Sequence, residues 1–321
     1  MNIRAILIVA GEPYSVFSEI LFKSLIKINS RRPIVLIASK KLLEKQMKKL
    51  GYKFRFKEID KDLPKKIVSK KGVINIINVD FNYEKVFDKI SSKSNTYIKE
   101  SFHIANNLLK KEKAFGLING PISKKTFLKK KFLGITEYLA KMNKVKNFVM
   151  LIYNKNFSVS PLTTHIAIKK ISNQITKKKI INHINQINNF YIKYFKKNPK
   201  IVITGLNPHC ESNFKDSEEK NIIIPTIKIL KKKFSKLSGP LPADSLFMSE
   251  NLKKYDVVLG MYHDQVLTPI KTIHNFDAIN ITLGLPYLRI SPDHGTNNQM
   301  LGKNKSNPDS LISAIKFLNN K

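Results

Sequence analysis

The chain has 321 residues, 42% of them hydrophobic, and a formal net charge of +35. This size allows a large core and favours two lobes over one. No apolar run approaches the roughly 20 residues of a membrane-spanning helix, and the first run ends at Gly11, too early for a secretory signal. A single cysteine, Cys210, excludes an internal disulfide, so we expect a cytoplasmic protein with no membrane span.

The basic charge raises the question of a nucleic-acid partner, because basic surfaces bind phosphate backbones by releasing counterions. Only five of the 58 basic residues are arginine, and the lysines are spread along most of the chain. Dispersed lysine mainly sets solubility and non-specific association, so we expect no specific nucleic-acid site. The positive field would still attract small anionic substrates, less strongly at high salt.

Strands and helices alternate along the first 120 residues. Short apolar, β-branched runs predict strands, and apolar residues at intervals of three and four predict helices between them. The alternation predicts an α/β fold with a mostly parallel sheet covered by helices. The predicted strands are 6–10, 33–39, 73–79 and 114–120, and the predicted helices include 18–28 and 96–109.

The later part of the chain continues the pattern. A helix is predicted from Gly134, with Thr136 as its N-cap. Two strands joined by a tight turn, the longest helix and a further strand follow, at 148–153, 157–162, 171–195 and 201–210. Residues 217–219 begin a helix with two glutamates in its first turn, a rigid turn lies at 239–244, and strands lie at 257–260 and around Asn280.

Three histidines follow the carboxyl ends of predicted strands: His165, His209 and His263. Ligands bind at that edge of open α/β sheets. Imidazole is a good ligand for zinc and similar divalent ions, and three protein ligands leave a position open for catalysis. Each histidine alone could instead be structural, and Cys210 could be a fourth ligand or a small buried hydrophobe.

Arg289 is the only arginine after Arg55 in a chain that otherwise uses lysine. A guanidinium group is needed where a planar, bidentate donor must bind phosphate or carboxylate. Lys271 and Asn280 could reach the same anion. A surface arginine on a loop is the alternative that the residues alone leave open.

Seven motifs carry a resemblance to a known family. In chain order they are NGPISKKTF, GITEYLA, TTHIAI, GLNPHC, GPLPADSLF, MYHDQVLTPIK and NITLGLPYLRISPDHGT. Through them the chain resembles the 4-hydroxythreonine-4-phosphate dehydrogenase family of vitamin B6 biosynthesis, over nearly its whole length.

The resemblance implies a two-lobed α/β/α fold like that of isocitrate and isopropylmalate dehydrogenases. We expect residues 1–120 and 240–321 to form a first, discontinuous α/β lobe. Residues 121–239 would form a second lobe that contributes to a dimer interface. The resemblance also implies a homodimer whose active sites are shared between subunits.

The implied activity is a metal-assisted, NAD- or NADP-dependent oxidation of 4-phosphooxy-L-threonine to 2-amino-3-oxo-4-phosphooxybutanoate, which decarboxylates to 3-amino-2-oxopropyl phosphate. By resemblance, one divalent ion (Zn, Mg or Co) would be held by His165, His209 and His263, and the substrate by Thr136, Lys271, Asn280 and Arg289. Either Asp244 or Asp264 could accept the hydroxyl proton. The chain has no G-x-G-x-x-G fingerprint, so the cofactor-binding residues and the choice between NAD and NADP stay open.

Three stretches depart from the family pattern. Residues 11–19 lack two glycines and a proline, Ile135 replaces a substrate-binding histidine, and 211–215 lack the usual glycines. An aliphatic side chain cannot donate to phosphate, and glycine best allows close backbone approach to a ligand. Two alternatives therefore remain: a sister dehydrogenase for another phosphorylated four-carbon hydroxy acid, or a non-catalytic anion- or nucleic-acid-binding protein on the same fold.

Overall fold

The computed structural model describes residues 3–129, 131–211, 213, 215–274, 278–292 and 294–321. The strands are β1 (Ala5–Val9), β2 (Ile34–Ala38), β3 (Arg55–Glu58), β4 (Val73–Asn78), β5 (Ala114–Asn119), β6 (Val149–Tyr153), β7 (Ser158–Pro161), β8 (Ile201–Thr204), β9 (Leu237–Leu241), β10 (Val257–Gly260), β11 (Ile279–Leu283) and β12 (Leu288–Pro292). The helices are α1 (Phe17–Lys27), α2 (Lys40–Lys49), α3 (Asn95–Lys110), α4 (Ile135–Met142), α5 (Lys177–Phe195), α6 (Ile224–Lys231), α7 (Ala243–Leu246), α8 (Ser249–Leu252), α9 (His263–His274) and α10 (Asp309–Asn319).

The chain divides into two compact units, the first made of Met1–Lys144 and Leu285–Lys321 and the second of Val145–Gly284. The unit boundaries lie after residues 144 and 284, whereas the lobe boundaries expected from the resemblance lie after residues 120 and 239. Residues 121–144 fold with the first unit because Leu139 of α4 belongs to its apolar core. Residues 240–284 fold with the second unit because β10 and β11 pair with its strands.

The first unit contains a parallel sheet in the order β3-β4-β2-β1-β5-β12. Leu7 and Val9 of β1 pack in one cluster with Ile98 and Phe102 of α3. The alternate residues of β1, such as Ile8, face the other side of the sheet and are equally buried. Burial on both faces accounts for the uninterrupted apolar runs that predicted these strands.

The second unit contains strands in the order β11-β6-β7-β10-β8-β9. β7, β10, β8 and β9 are parallel, whereas β6 is antiparallel to both of its neighbours. On one face Val159, Val202 and Val258 pack against Val266 and Ile270 of α9, and α5 contacts β6 and β11. The carboxyl ends of β7, β10 and β8 are therefore neighbours along one edge of the sheet.

Several predicted elements change at their ends. The antiparallel pair β6 and β7 confirms the predicted tight connection. The longest helix begins at Lys177 instead of 171, because the Thr176 side chain accepts a hydrogen bond from Lys179 N and caps it there. The strand predicted at 201–210 ends at Thr204, and a short 3-10 turn, Pro208–Cys210, follows.

One further prediction, the rigid turn at 239–244, is wrong for an identifiable reason. Gly239 and Pro240 lie in β9, not in a turn. β9 is the last strand of its sheet, and proline is tolerated on an edge strand because its missing N–H faces no partner. Neither β3 nor β12 was predicted from the sequence, because these charged or proline-containing strands lack a long apolar run, and α10 was not predicted either. Across the described residues, every helix is either too short or too polar to span a bilayer.

Candidate active site

The three predicted metal ligands follow three adjacent strands of the second unit. His165 follows β7, His209 follows β8 and His263 follows β10, which lies between the other two and is parallel to both. The rings of His165 and His263 are 6.0 Å apart between centroids. The sheet topology therefore brings two of the three imidazoles together and carries the third on the adjoining loop.

His209 is exposed. Within the described ranges, no group of three or more His, Cys, Asp and Glu side chains is close enough together to hold a metal ion. The donor set nevertheless fits a divalent ion in its chemistry, since three imidazoles with an open position suit zinc. It fits in topology as well, because the three histidines share one edge of the sheet.

The backbone at two of these histidines is strained. His165 and His209 have φ of 52° and 58°, in the left-handed region that non-glycine residues seldom adopt. Backbone strain of this kind is concentrated at functional sites. At the third, His263 Nδ1 lies 2.6 Å from Asp264 Oδ1. A carboxylate on one ring nitrogen orients the imidazole and leaves Nε2 for a ligand.

Gln265 joins the loops that carry His209 and His263. Its Nε2 donates to Gly205 O at 2.8 Å, while its Oε1 accepts from Thr204 Oγ1 at 2.9 Å and from Met261 N at 2.7 Å. The amide therefore fastens the end of β8 to the end of β10. In the sequence Gln265 stands out only as part of the MYHDQVLTPIK motif, because two of its three partners, Gly205 and Thr204, are 60 and 61 residues away.

Glu219 organises the loop between β8 and His209. Burial by itself would raise the pKa of its carboxyl group, but hydrogen bonds from Asn207 and Ser217 outweigh that effect and hold the pKa below its ordinary value. The sequence indicated Glu219 only as an acid at the start of a helix. The signal in the sequence that could have indicated this role was the position of Glu219 between Ser217 and an apolar helical run.

The two candidate proton acceptors differ in their surroundings. Both are exposed, but Asp264 is engaged with His263, whereas Asp244 accepts a hydrogen bond from the backbone Ser245 N at 2.7 Å. Burial raises the pKa of the Cys210 thiol, and the carboxylates of Glu219 and Asp244 raise it further. Cys210 is only partly buried.

Arg289 and Thr136 are in direct contact in the first unit. Arg289 Nε donates to Asn119 Oδ1 at 2.7 Å, and its Nη1 donates to Thr136 Oγ1 at 3.0 Å. Arg289 lies on β12 with 0% of the residue exposed, so the alternative of a surface loop arginine is wrong. Burial lowers its pKa to about 10, while Tyr287 and Glu137 oppose that shift.

Thr136 is not the N-cap of α4. The helix begins at Ile135, and Gly134 takes the capping position with an extended backbone. The Thr136 side chain is therefore free to accept from Arg289. Ile135, which stands where the family has a histidine, packs against the apolar core of the first unit.

Lys271 and Asn280 lie on different elements of the second unit. Lys271 is exposed in the last turn of α9, and Asn280 lies on β11 opposite Ile152. Within the part of the chain that the structure describes, Asn280 Oδ1 is buried and receives no hydrogen bond. Ser212, Phe214 and Asp293, which belong to stretches noted in the sequence, lie outside the described residues.

The divergent amino-terminal loop is buried. Tyr14 packs edge-on against Phe81, with ring centroids 5.7 Å apart, and its hydroxyl donates to Lys85 O at 3.2 Å. Phe17 stacks on His294 at 6.4 Å. None of residues 12–19, all of which are described, has a positive φ. The missing glycines are therefore replaced without left-handed backbone, and aromatic rings fill the space.

Comparison with known proteins adds a family and a fold. A family model described as pyridoxal phosphate biosynthetic protein PdxA matches residues 29–318. A 4-hydroxythreonine-4-phosphate dehydrogenase of Sulfurihydrogenibium sp. (strain YO3AOP1) is 38% identical over 315 residues, which cover 97% of this chain and 96% of that protein.

Solved structures show the same fold. The crystal structure of 4-hydroxythreonine-4-phosphate dehydrogenase from Klebsiella pneumoniae superposes with a TM-score of 0.88 and 24% identity, covering 99% of this chain and 100% of that one. Isocitrate dehydrogenase from Methylococcus capsulatus gives a TM-score of 0.51 at 9% identity, covering 97% and 83%. The predicted fold class, a mostly parallel α/β fold related to isocitrate dehydrogenase, is confirmed.

Proposed function

The chain belongs to the PdxA family of pyridoxal phosphate biosynthetic proteins, and on that premise we propose that it oxidises 4-phosphooxy-L-threonine. It is an oxidoreductase of the 4-hydroxythreonine-4-phosphate dehydrogenase family. The product, 2-amino-3-oxo-4-phosphooxybutanoate, is a β-keto acid and loses carbon dioxide to give 3-amino-2-oxopropyl phosphate. The observation that carries the proposal is the pair His165 and His263, 6.0 Å apart beside the loop of His209.

The three histidines would hold one divalent ion, for which zinc suits imidazole best and Mg or Co are alternatives. When bound, the ion would polarise the substrate hydroxyl, and NAD or NADP would accept a hydride from the carbon that bears that hydroxyl. Asp264 orients the His263 ring through the 2.6 Å contact at Nδ1. Asp244 is then the carboxylate left to take the hydroxyl proton, since Asp264 is engaged.

Arg289 and Thr136 would bind the substrate phosphate, together with Lys271 and Asn280. Arg289 is buried beside Thr136, and a guanidinium group presents planar, paired donors that match the oxygens of a phosphate. The first turn of α4, where Thr136 lies, also presents N–H groups that favour an anion. The Oδ1 of Asn280, which receives no hydrogen bond among the described residues, would accept one from a donor group of the substrate. Fixing the phosphate places the reacting carbon for oxidation.

The test measures NADH or NADPH formation with 4-phosphooxy-L-threonine, with and without a chelator. We expect His209→Ala to lose bound metal and at least about 100-fold in turnover, since even outer-shell partners are worth about 10- to 100-fold. His103→Ala, an exposed histidine on α3, is the matched control and should behave as wild type. Survival of both metal and turnover in His209→Ala would contradict the metal site.

Ile135 favours a second candidate, a sister dehydrogenase for another phosphorylated four-carbon hydroxy acid. Its side chain packs into the core and cannot donate to the phosphate. A higher kcat/KM with such a substrate than with 4-phosphooxy-L-threonine would select this alternative.

We propose further that the protein acts as a cytoplasmic homodimer with shared active sites. The family resemblance supports the dimer, and the single cysteine supports a reducing compartment. Sedimentation equilibrium that showed only monomer at assay concentrations would contradict the dimer.

A further inference from the structure

Hydrogen bonds from three residues converge on the Glu219 carboxylate, which is 0% exposed. Its Oε1 accepts from the backbone N–H groups of Leu206 and Asn207, at 2.7 and 2.9 Å. Its Oε2 accepts from Asn207 Nδ2 and Ser217 Oγ, at 2.8 and 2.9 Å. Leu206 and Asn207 belong to the loop between β8 and His209, so that loop is folded around one carboxylate.

The end of this loop is strained. His209 and Cys210 have φ of 58° and 56°, and left-handed backbone costs non-glycine residues on the order of 1–3 kcal/mol each. Such conformations persist only where surrounding contacts hold them. The bonds from Leu206 and Asn207 to Glu219 lie directly before the strained residues. They supply that restraint on the chain as it approaches His209.

We propose that Glu219 is a positioning residue that holds the loop so that His209 can join His165 and His263 around a divalent ion. This inference rests on the metal site of the proposed function. Glu219 acts through the loop and not by contact with the substrate. Outer-shell groups that orient metal ligands are worth about 10- to 100-fold in metal affinity.

A purely structural role is the competing explanation. Glu219 also begins a helical segment, Glu219–Ile223, and an acid there stabilises a helix through its dipole. If that were its whole contribution, substitution would lower stability and leave metal binding to the folded protein unchanged. Metal affinity and stability must therefore be measured separately.

The test compares the Zn²⁺ affinity of full-length wild-type, Glu219→Gln and Asp256→Asn proteins by competition with a chromophoric chelator, under conditions where each is folded. In Glu219→Gln an NH₂ group replaces one acceptor oxygen, so its former donors face another donor. Asp256 is the matched control. It accepts from Lys200 N and Lys197 Nζ, at 2.9 and 2.7 Å, but it precedes β10 at the end opposite His263.

We expect Glu219→Gln to weaken Zn²⁺ binding about 10- to 100-fold and to change the visible spectrum of bound Co²⁺. Asp256→Asn should lower the urea midpoint while leaving both metal readouts as in wild type. Glu219→Asp, which keeps the charge but shortens its reach, should lie between wild type and Glu219→Gln.

Wild-type Zn²⁺ affinity and Co²⁺ spectrum in Glu219→Gln would overturn the positioning role. An equal loss in Asp256→Asn would overturn it too, because that loss would reflect general destabilisation. Failure of the proposed function can be told apart from failure of this inference. Wild-type protein that binds Zn²⁺ but reduces neither NAD nor NADP would contradict the function, and the comparison of Zn²⁺ affinities would still test the role of Glu219. A wild type that binds no Zn²⁺ would overturn both.

Discussion

Glu12 is a carboxyl group held out of water, with 1% of the residue exposed. Burial raises its pKa from 4.5 to about 7, although Ser94 and a backbone N–H oppose the shift. Between these two pH values the native protein binds a proton that the unfolded chain has released. The resulting stability is fully present below pH 4.5 and is lost as the pH rises through about 7.

Glu12→Gln should therefore flatten part of the pH dependence of stability. Relative to this variant, we expect wild type to lose on the order of 3 kcal/mol of unfolding free energy between pH 4.5 and 8. Urea denaturation of both proteins across that range measures the difference. Parallel curves for the two proteins would show that burial does not raise the native-state pKa of Glu12.

Arg289 combines complete burial with donors aimed at Asn119 and Thr136. We expect Arg289→Lys to raise KM for the phosphorylated substrate about 10- to 100-fold, because a hydrogen bond to a charged group is worth about 1.5–3 kcal/mol and lysine cannot reproduce the planar fork. Steady-state NADH formation at varied substrate concentrations measures this change in KM. Arg55→Lys, on the exposed part of β3, is the control, and an equal effect there would contradict a specific role.

At the scale of elements, the loop from β1 to α1 depends on the absence of a side chain at Gly11. Its φ is +78°, and a Cβ there would meet Pro121 O at 2.4 Å. Gly51, at the end of α2, has φ of +77° but nothing within 4 Å of such a Cβ. The two glycines therefore have the same left-handed backbone conformation, and they differ in the room that is available for a side chain.

Alanine at the two positions should separate these effects. We expect Gly51→Ala to cost about 1–2 kcal/mol of unfolding free energy from the left-handed backbone. Gly11→Ala should cost about 1–3 kcal/mol more, from overpacking against Pro121. Urea unfolding measures both. Equal costs would mean that the Pro121 segment yields to the added methyl group.

The strands also differ in how well their local sequences predict them. β1 and β10 are apolar runs buried on both faces, and these short, uninterrupted runs predicted them. β12 contains a buried arginine and a proline, and β9 contains Gly239 and Pro240. Their pairing is decided by neighbouring strands, which local patterns do not contain.

At the scale of the whole molecule, the net charge of +35 should act on substrate capture. We expect kcat/KM for the phosphorylated substrate to fall about 10-fold between low ionic strength and about 0.5 M salt, because screening removes electrostatic attraction. Steady-state kinetics at several KCl concentrations measure the change. kcat at saturating substrate is the internal control, and a parallel fall in kcat would indicate damage to the enzyme instead.

The sequence by itself determined the fold class, the family and the placement of three histidines after strands. These follow from local apolar periodicity and from motifs that need no knowledge of distant contacts. For the same reason, Arg289 could be singled out by its rarity but not assigned to a buried strand.

Only the tertiary structure decided the unit boundaries at 144 and 284, the burial of Arg289 beside Thr136, and the contacts of Glu219 and Gln265 with the His209 loop. Each of these depends on hydrogen bonds or packing between residues far apart in the chain. The physical reason is that a buried polar group takes its partner from whatever the fold brings near it, since leaving it unpaired costs more than any local preference.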